Sequence, residues 1–437
     1  MDVQGLLGKG WLMKQVKLKY GTDGILMRFP ETPNFQGVLY PEVTAPLADP
    51  QAVLKNSLTN PIASPALRQL AKGRQSAVIV ISDITRPVPN RLLLPEIIGE
   101  LVEAGLSSEK ITILVATGIH RPNEGAELER LVGREIANRY KVINHFSQQQ
   151  DQMELVGHIA GGVPAYVNKH YLHADLKILT GFIEPHMWAG FSGGRKSILP
   201  GISSAQTLQF MHGPEMVAHP QTAYGVLEGN PFHEAGLEIM AKAGADFIVN
   251  VTLDTDKQVT GIFSGDPVKA HLEGVEFLSR HCIKTLDQPL DFVITTNAGA
   301  PLDCNLYQSA KGLSGVAGAT KKGGVILIAS QCPEGFGSAE YRQVFNYATS
   351  PEAFIEQIMN KDFFILDQWC AQETYQVRIK NEIWIHTDGI DPATLQQFHF
   401  QPVADLEAAL AQLLERFGQH ARWAIVPDGP LLILRVA

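Results

Sequence analysis

The chain has 437 residues, 45% of them hydrophobic, and a formal net charge of −9, which predicts two domains and argues against nucleic acid or an anionic membrane surface as the partner. The N-terminal stretch is too short and interrupted for a signal peptide, and no run of about 18 apolar residues predicts a transmembrane helix. Four widely spaced cysteines argue against a disulfide framework or a cysteine-zinc site, so the simplest location is a reducing cytoplasm.

The first half of the chain alternates strand-like and helix-like segments. A run without polar alternation at 76–82 is typical of a buried parallel strand, and strands of this type recur with helices between them. The predicted elements are a hairpin at 16–20 and 24–28, a helix at 62–72, strand 76–82, helix 92–104, strand 111–116, helix 124–133 and strand 176–180.

The second half predicts a further strand at 247–253, a helix at 266–282 and a linker at 284–289. Strands of a second α/β pattern follow at 291–296, 324–329, 362–366, 382–386 and 430–435. We therefore predict an α/β protein of two domains, each a mostly parallel sheet flanked by helices, with the active site in the cleft between them. The expected domains are residues 1–283, with cofactor-binding and catalytic residues, and a smaller C-terminal domain of residues 290–437, with substrate-binding residues.

Polar clusters follow three strands of the first domain, at 83–87 (Asp-Ile-Thr-Arg-Pro), at 117–122 (Thr-Gly-Ile-His-Arg-Pro) and from residue 181 onward. Because the carboxyl ends of parallel strands share one edge of a sheet, the three clusters are expected to converge on one crevice. The stretch 181–236 is the densest in reactive side chains and is rich in Gly and Pro, which predicts a long functional loop.

Within that stretch, Lys196 directly follows Gly193, Gly194 and an arginine. The two glycines would let backbone N–H groups approach an anion. The segment is not a P-loop, because arginine stands where that motif needs its second glycine. Lys196 is therefore a solvated lysine, a phosphate clamp or a covalent anchor, since a desolvated amine is nucleophilic.

Two histidines of this stretch, and His120 in the 117–122 cluster, each have two possible roles. His212 and His219 either stabilise loops or bind a metal, because imidazole suits nickel, zinc, copper and iron. No H-x-H or H-x-x-x-H pair occurs among them, which argues against a multi-histidine zinc site. His120 is either a solvated loop residue or a general base, the role that a neutral imidazole near pH 7 suits.

Asp83 and Thr85 can cap the helix that follows them, whereas the fork-shaped guanidinium of Arg86 suits a carboxylate or phosphate.

In the second domain, Tyr307, Gln308 and Lys311 form either a surface helix end or a grip on a substrate carboxylate, because a spacing of three places Gln308 and Lys311 on one helix face. Trp369 is either a core residue or part of the wall of the site.

Together these clusters resemble the nickel-dependent lactate racemase family over residues 15–415. The matching pieces are the 83–87 and 117–122 segments, Gly-Phe-Ile-Glu-Pro-His at 181–186, Gly-Gly-Arg-Lys-Ser at 193–197, His212, and Tyr-Gln-x-x-Lys at 307–311. The combination is specific, although each piece alone is not. The resemblance implies a racemase or epimerase of lactate or a related 2-hydroxy acid, which works by proton-coupled hydride transfer through a 2-oxo acid.

The resemblance also implies the cofactor and the role of each residue. The cofactor would be a nickel pincer nucleotide, pyridinium-3,5-bisthiocarboxylic acid mononucleotide, attached covalently at Lys196 with His212 as the nickel ligand. His120 and His186 would be the acid/base pair. Other cofactor-binding and substrate-binding roles would fall to Asp83, Thr85, Arg86, Gly193, Gly194, Tyr307, Gln308, Lys311 and Trp369. The implied partners are the small 2-hydroxy acid and the enzymes that build the cofactor.

Two other functions compete with this one. The βα units are compatible with a nicotinamide-dependent 2-hydroxy acid oxidoreductase, although no G-x-G-x-x-G follows the strand at 76–82. A non-catalytic relative that binds a carboxylate or phosphate is the second alternative.

Overall fold

In the computed structural model, which describes residues 11–347, 349–360 and 362–437, the chain divides into two α/β units. The N-terminal unit comprises Val43–Glu184 and Trp188–His281. The C-terminal unit comprises the described residues up to Glu42, the short segment Pro185–Met187, and Cys282–Ala437. The two-domain α/β fold expected from the sequence is confirmed.

The chain begins with three strands of the C-terminal unit. They are β1 (Met13–Leu18), β2 (Ile25–Pro30) and β3 (Phe35–Val38). Strands β1 and β2 form the antiparallel hairpin that the alternating sequence predicts.

Residues 43–282 then form ten strands and ten helices. The strands are β4 (Ala77–Ser82), β5 (Ile111–Ala116), β6 (Lys141–Asn144), β7 (Met153–Ile159), β8 (Val163–Asn168), β9 (Leu176–Phe182), β10 (Pro185–His186), β11 (Gly190–Phe191), β12 (Phe247–Leu253) and β13 (Val259–Gly265). The helices are α1 (Pro50–Thr59), α2 (Leu67–Ala71), α3 (Asn90–Glu103), α4 (Gly125–Val132), α5 (Arg134–Arg139), α6 (Lys169–Leu172), α7 (Ala205–Met211), α8 (Pro214–Val217), α9 (Pro231–Ala243) and α10 (Lys269–Cys282).

The described part of the chain after residue 282 adds seven strands and six helices. The strands are β14 (Ile283–Leu286), β15 (Leu290–Thr296), β16 (Thr320–Ala329), β17 (Glu382–His386), β18 (Gln401–Pro402), β19 (Trp423–Val426) and β20 (Ile433–Val436). The helices are α11 (Leu306–Ala317), α12 (Ala339–Phe345), α13 (Pro351–Ile358), α14 (Gln368–Lys380), α15 (Pro392–Gln397) and α16 (Leu406–Phe417).

The N-terminal unit is built on a six-stranded sheet in the order β13-β12-β9-β4-β5-β6, parallel except for the pair β12–β13. Alternate residues of β4 enter different cores, with Ile79 and Ile81 on one face and Val78 and Val80 on the other. Because both faces are covered, the strand is apolar throughout, which is the pattern that its sequence shows.

The C-terminal unit contains a six-stranded parallel sheet in the order β18-β17-β16-β15-β19-β3. The N-terminal strand β3 therefore lies at one edge of a sheet whose other strands come from the last third of the chain. This pairing explains why the residues up to 42 join the C-terminal unit, whereas the sequence-based boundary placed residues 1–283 together.

Two predicted segments differ from the structure. The expected linker at 284–289 contains β14, which pairs in parallel with β20. The strand expected at 362–366 is absent among its described residues, because the backbone N–H of Ile365 donates to the side-chain oxygen of Gln368 and closes a turn before α14.

Among the residues that the structure describes, no helix combines the length and the apolar character needed to cross a bilayer.

Candidate active site

Three neighbouring strands of the N-terminal unit, in the order β5-β4-β9, carry the three predicted clusters at their carboxyl ends. Strand β4 is followed in the chain by β5 on one side and has β9 on its other side. The strands up to β6 therefore lie on one side of β4, and the later strands from β9 onward lie on the other, so the strand order reverses between β4 and β9. This is the position where open α/β sheets bind ligands. The structure thus places the three clusters at one edge of the sheet, as the sequence predicts, and the shared crevice stays a prediction.

Asp83 and His120 form a hydrogen-bonded pair at this edge. The Nδ1–H of His120 donates to Asp83 Oδ2 at 2.7 Å, and Asp83 is 3% exposed while the His120 side chain is 45% exposed. Burial by itself raises the pKa of Asp83, but hydrogen bonds from His120 and Thr85 and the charge of Arg86 outweigh it and lower this pKa below its ordinary value. The carboxylate thus stays ionised and holds the proton of the imidazole on Nδ1, which leaves the lone pair on Nε2.

Thr85 completes the surroundings of Asp83 from within the same turn. Its backbone N–H donates to Asp83 Oδ1 at 3.1 Å and its hydroxyl donates to the same oxygen at 2.5 Å. Arg86 is exposed, with its guanidinium 3.4 Å from the Thr85 hydroxyl. The sequence predicts a helix cap or a cofactor-binding residue at Asp83, and the structure adds its contact with His120.

The turn that bears His120 is hydrogen-bonded to the segment that bears Lys196. Gly118 donates its N–H to the carbonyl of Gly201 at 3.0 Å, and Gly201 donates to the carbonyl of Lys196 at 3.1 Å. The hydroxyl of Thr117 donates to the carbonyl of His145, whose own pKa is lowered to about 4 by burial. The two segments therefore form one rigid edge beside the β4 turn.

His212 ends α7 close to Lys196. Its Nδ1–H donates to the carbonyl of Leu208 at 2.8 Å, and its ring meets Trp188 and Phe232 edge-on at 5.2 Å and 5.9 Å. Burial is the main reason that the pKa of His212 is lowered to about 4; the bond to the Leu208 carbonyl raises this pKa, and the positive charge of Lys196 lowers it. The ring is therefore neutral at pH 7 with its lone pair on Nε2, and a carbonyl behind Nδ1 is the usual support of a metal-binding histidine.

Two glycines before Lys196 have a steric reason to be glycine. A Cβ on Gly193 would lie 2.7 Å from Asn250 Oδ1, and a Cβ on Gly194 would lie 2.8 Å from the His271 ring. Both glycines also have positive φ, at 78° and 56°. The N–H of Gly194 already donates to Asn250 Oδ1 at 2.8 Å, so it is not available to bind an anion.

The remaining histidines of the 181–236 stretch are placed differently. His186 lies in the two-residue strand β10 and belongs to the C-terminal unit. His219 is exposed, and its Nδ1 accepts the N–H of Gln221 at 3.3 Å, which is the loop-stabilising alternative. His233 is buried beside His271, with ring centroids 6.5 Å apart.

In the C-terminal unit, Tyr307, Gln308 and Lys311 lie on the first turns of α11, after the carboxyl end of β15, whereas Trp369 lies in the first turn of α14. Asn305 caps this helix by accepting the N–H of Gln308 at 3.1 Å. The indole N–H of Trp369 donates to the hydroxyl of Tyr307 at 3.1 Å. The buried Oε1 of Gln308 has no hydrogen-bond partner within the described structure, so it is an acceptor that a ligand hydroxyl or N–H could satisfy.

The predicted site residues thus fall into two groups, and the structure leaves the roles assigned to them as predictions. The N-terminal unit contains Asp83, Thr85, Arg86, His120, Gly193, Gly194, Lys196 and His212. The C-terminal unit contains His186, Tyr307, Gln308, Lys311 and Trp369. Across residues 11–347, 349–360 and 362–437, no cluster of three or more His, Cys, Asp or Glu side chains could hold a metal.

Sequence reasoning missed two buried polar residues around Lys196. Asn250 interrupts the apolar strand β12, and that polar residue in a fully buried run was the available signal. Arg195 is 1% exposed, and the sequence indicated only that it breaks a P-loop pattern. The burial of a charged side chain next to Lys196 had no sequence signal.

Comparisons with known proteins point to one family. Sequence models of the lactate racemase N-terminal domain and the lactate racemase C-terminal domain match residues 20–225 and 286–434. A lactate racemase from Thermoanaerobacterium thermosaccharolyticum is 35% identical over 97% of this chain and 100% of its own length. A second, from Lactiplantibacillus plantarum, is 35% identical over 88% of this chain and 91% of its own.

Solved structures agree with the sequence comparisons. The apoprotein of the Thermoanaerobacterium thermosaccharolyticum enzyme superposes with a TM-score of 0.91 at 35% identity, over 97% of this chain and 100% of that one. A protein from Thermotoga maritima, at 19% identity over 90% of this chain and 100% of that one, shares the fold with a TM-score of 0.67.

Proposed function

The chain belongs to the lactate racemase family, and we propose that it interconverts the enantiomers of lactate or of a related 2-hydroxy acid with a nickel pincer nucleotide tethered at Lys196. Membership of this family makes the chain an isomerase of the racemase class. When bound, the cofactor supplies a hydride acceptor, so that the substrate passes through a planar 2-oxo acid.

The observation that carries the proposal is a neutral His212 that lies within range of the charge of Lys196, on a lysine segment that is hydrogen-bonded to the His120 turn. The proposed tether uses a lysine amine, and a histidine binds nickel only when its imidazole is neutral. The lowered pKa of His212 and its Nδ1–H bond to Leu208 meet the second need. Since the described residues offer no cluster of three protein ligands, nickel here would take its other ligands from the cofactor.

His120 is the group that we assign to proton transfer in the N-terminal unit. With its proton held on Nδ1 by Asp83, the Nε2 atom takes the hydroxyl proton of one enantiomer and returns it in the reverse reaction. The other enantiomer presents its hydroxyl on the opposite side of the reacting carbon, so a second base is needed. We assign that role to His186, on the strength of the family resemblance.

Substrate binding is assigned to Arg86, Tyr307, Gln308, Lys311 and Trp369. A guanidinium and an ammonium suit the substrate carboxylate, and the unpaired amide oxygen of Gln308 suits a hydroxyl. The bond from Trp369 to Tyr307 holds the phenol in one position. Asp83 contributes to substrate binding indirectly, because its carboxylate interacts electrostatically with both His120 and Arg86.

Maturation by cofactor-building enzymes and a cytoplasmic location complete the proposal. The four cysteines are free thiols in the structure, which suits a reducing compartment.

The test is to produce the protein together with cofactor-building enzymes and to measure adduct mass, nickel content and racemisation by chiral chromatography. The parent should carry a mass adduct on the peptide containing Lys196, and the Lys196→Ala variant should carry none. The His212→Ala variant should keep the adduct but lose nickel. A parent protein without adduct and nickel would refute the cofactor assignment, and a loaded protein without turnover of any 2-hydroxy acid would favour the binding-protein alternative.

A further inference from the structure

The segment Gly193 to Ser197, which we call the lysine loop, is fixed by buried polar groups from three directions. From strand β12, Asn250 Oδ1 accepts the N–H of Gly194. At its other end, the hydroxyl of Ser197 donates to the carbonyl of Thr180 in β9 at 2.9 Å. Within the loop, Lys196 donates its N–H to the carbonyl of Gly193 at 3.1 Å. The backbone on both sides of Lys196 is thus tied to two central strands of the sheet.

Asn250 lowers the stability of the fold at its position, so its presence needs a reason, and the lysine loop supplies one. It is fully buried in an apolar strand, and its Nδ2 has no partner among the described residues. A buried amide with an unsatisfied donor destabilises the fold, and an apolar side chain would avoid that loss. What only a side-chain oxygen can supply here is the acceptor for Gly194 N–H.

Arg195 belongs to the lysine loop, and its buried guanidinium bonds to the backbone of Gly193 and of Ala189. Its Nη2 donates to the carbonyl of Ala189 at 2.7 Å and its Nη1 to that of Gly193 at 3.3 Å. No carboxylate lies within ion-pair distance of it in the described residues, and burial lowers its pKa to about 9. Gly236 of α9 makes room for it, because a Cβ there would lie 2.6 Å from Arg195 Cγ.

A buried guanidinium without a counter-ion is a poor source of stability. Its Nη1 also lies 3.2 Å from His271 Nε2. Its two carbonyl partners both precede Lys196 in the chain, and its Nε has no partner in the described part of the chain. Arg195 and Asn250 therefore share one feature, which is that each leaves a buried donor unsatisfied while fixing the backbone before Lys196.

We propose that Asn250 and Arg195 are positioning residues for Lys196, which hold the lysine loop so that the amine stays beside His212 for covalent attachment of the cofactor. The attachment itself rests on the proposed function, whereas the fixed position of the amine does not.

The first test uses protein made without cofactor. Lys196 and the exposed Lys110 are labelled in competition with a trace of acetic anhydride and quantified by peptide mass spectrometry, so that Lys110 corrects for reagent. In Asn250→Leu, loss of the Gly194 bond should open the loop and raise the labelling of Lys196 relative to Lys110 by about fivefold or more. Asn250→Asp keeps a side-chain oxygen for Gly194 and should stay within about twofold of the parent.

Two further measurements keep the result interpretable. Thermal unfolding of each variant separates a local change from a general loss of structure. In the parent, hydrogen exchange of the Gly194 amide should be as slow as that of the amides of β9 and β12, and this needs no variant. Parent-like labelling in a folded Asn250→Leu, or fast exchange at Gly194, would overturn the proposal.

Arg195→Met tests the second residue in the same assay, with Arg195→Lys as the variant that retains a donor. Production with cofactor-building enzymes then gives adduct occupancy at Lys196, which should fall in Asn250→Leu and Arg195→Met and recover in Asn250→Asp. If the parent itself carries no adduct, the proposed cofactor fails, while the labelling and exchange results still decide whether the loop is held.

Discussion

Replacing Asp83 by Asn tests how His120 is prepared for proton transfer. Asn has nearly the shape of Asp, and its amide oxygen can keep the two bonds that Thr85 donates. Its NH2 group would then face His120 across the 2.7 Å contact. Because NH2 is a donor, it stabilises the imidazole with a lone pair on Nδ1 and the proton on Nε2, which is the wrong tautomer for a base.

Two effects set the size of the expected loss. A positioned general base contributes about 10²–10⁴-fold to rate, and a hydrogen bond to a charged group contributes about 1.5–3 kcal/mol, or roughly 10–150-fold. We therefore expect Asp83→Asn to lower kcat/KM by at least about 10²-fold. Enantiomers have equal free energies in water, so kcat/KM must fall by the same factor in both directions.

The assay is chiral chromatography of each enantiomer's conversion, with rates divided by the fraction of protein that carries the Lys196 adduct. Thr85→Val is the matched control, because it removes one donor to Asp83 but leaves the carboxylate and its bond to His120. This control should lose no more than about tenfold. If Asp83→Asn stays within tenfold of the parent at equal loading, the tautomer argument is wrong.

Three other predictions follow from the site and the cores. His120→Ala and His186→Ala should each lower racemisation by about 10²–10⁴-fold while retaining the Lys196 adduct, and a near-parental rate in either would refute the two-base scheme. Gln308→Leu removes a buried unpaired amide oxygen, so its denaturant midpoint should equal or exceed that of the parent while KM rises by about tenfold; an unchanged KM would exclude a substrate contact. The pKa values of His145, His212 and His233 are each lowered to about 4 by burial. Between about pH 6.5 and pH 4 these histidines therefore bind protons in the unfolded chain but stay neutral in the folded chain. Stability should therefore be full above about pH 6.5 and fall towards pH 4, by on the order of 1–3 kcal/mol per histidine. His145→Gln should show a smaller fall in denaturant midpoint between pH 7 and pH 4.5, and a fall equal to that of the parent would contradict the assignment.

Strands buried on both faces were the easiest part of the fold to predict. The runs that became β4, β5, β9 and β12 are mostly apolar, short and rich in β-branched residues, and this combination favours a buried strand over a helix. The short strand β14 was taken for a linker, since four residues with an exposed middle carry almost no periodic signal. The partnership of β3 with β19 depends on packing across nearly the whole chain, which local pattern does not encode.

The site divides in a similar way. Chemistry-bearing residues such as Lys196 and His212 stand out because reactive side chains in a Gly-rich stretch are unusual. The residues that support them do not stand out in the sequence. The bond between Asp83 and His120, for example, joins residues from two different turns and exists only once β4 and β5 are paired. The roles of Asn250 and Arg195 could be inferred only once the structure showed that both side chains are buried.

The pairing of β3 with β19 has a consequence for how the protein is made. The ribosome synthesises β3 long before β19, and at about 5–20 residues per second the interval is on the order of 20–80 s. During that time the nascent hairpin β1–β2 and strand β3 have no sheet to join, although their side chains Leu18, Met27 and Phe29 are destined for full burial. The N-terminal unit can fold in the meantime, because none of its sheet strands waits for the last residues. Synthesis therefore leaves the apolar side chains of β1, β2 and β3 without their partner strands while the N-terminal unit folds, and we expect chaperones to bind this segment.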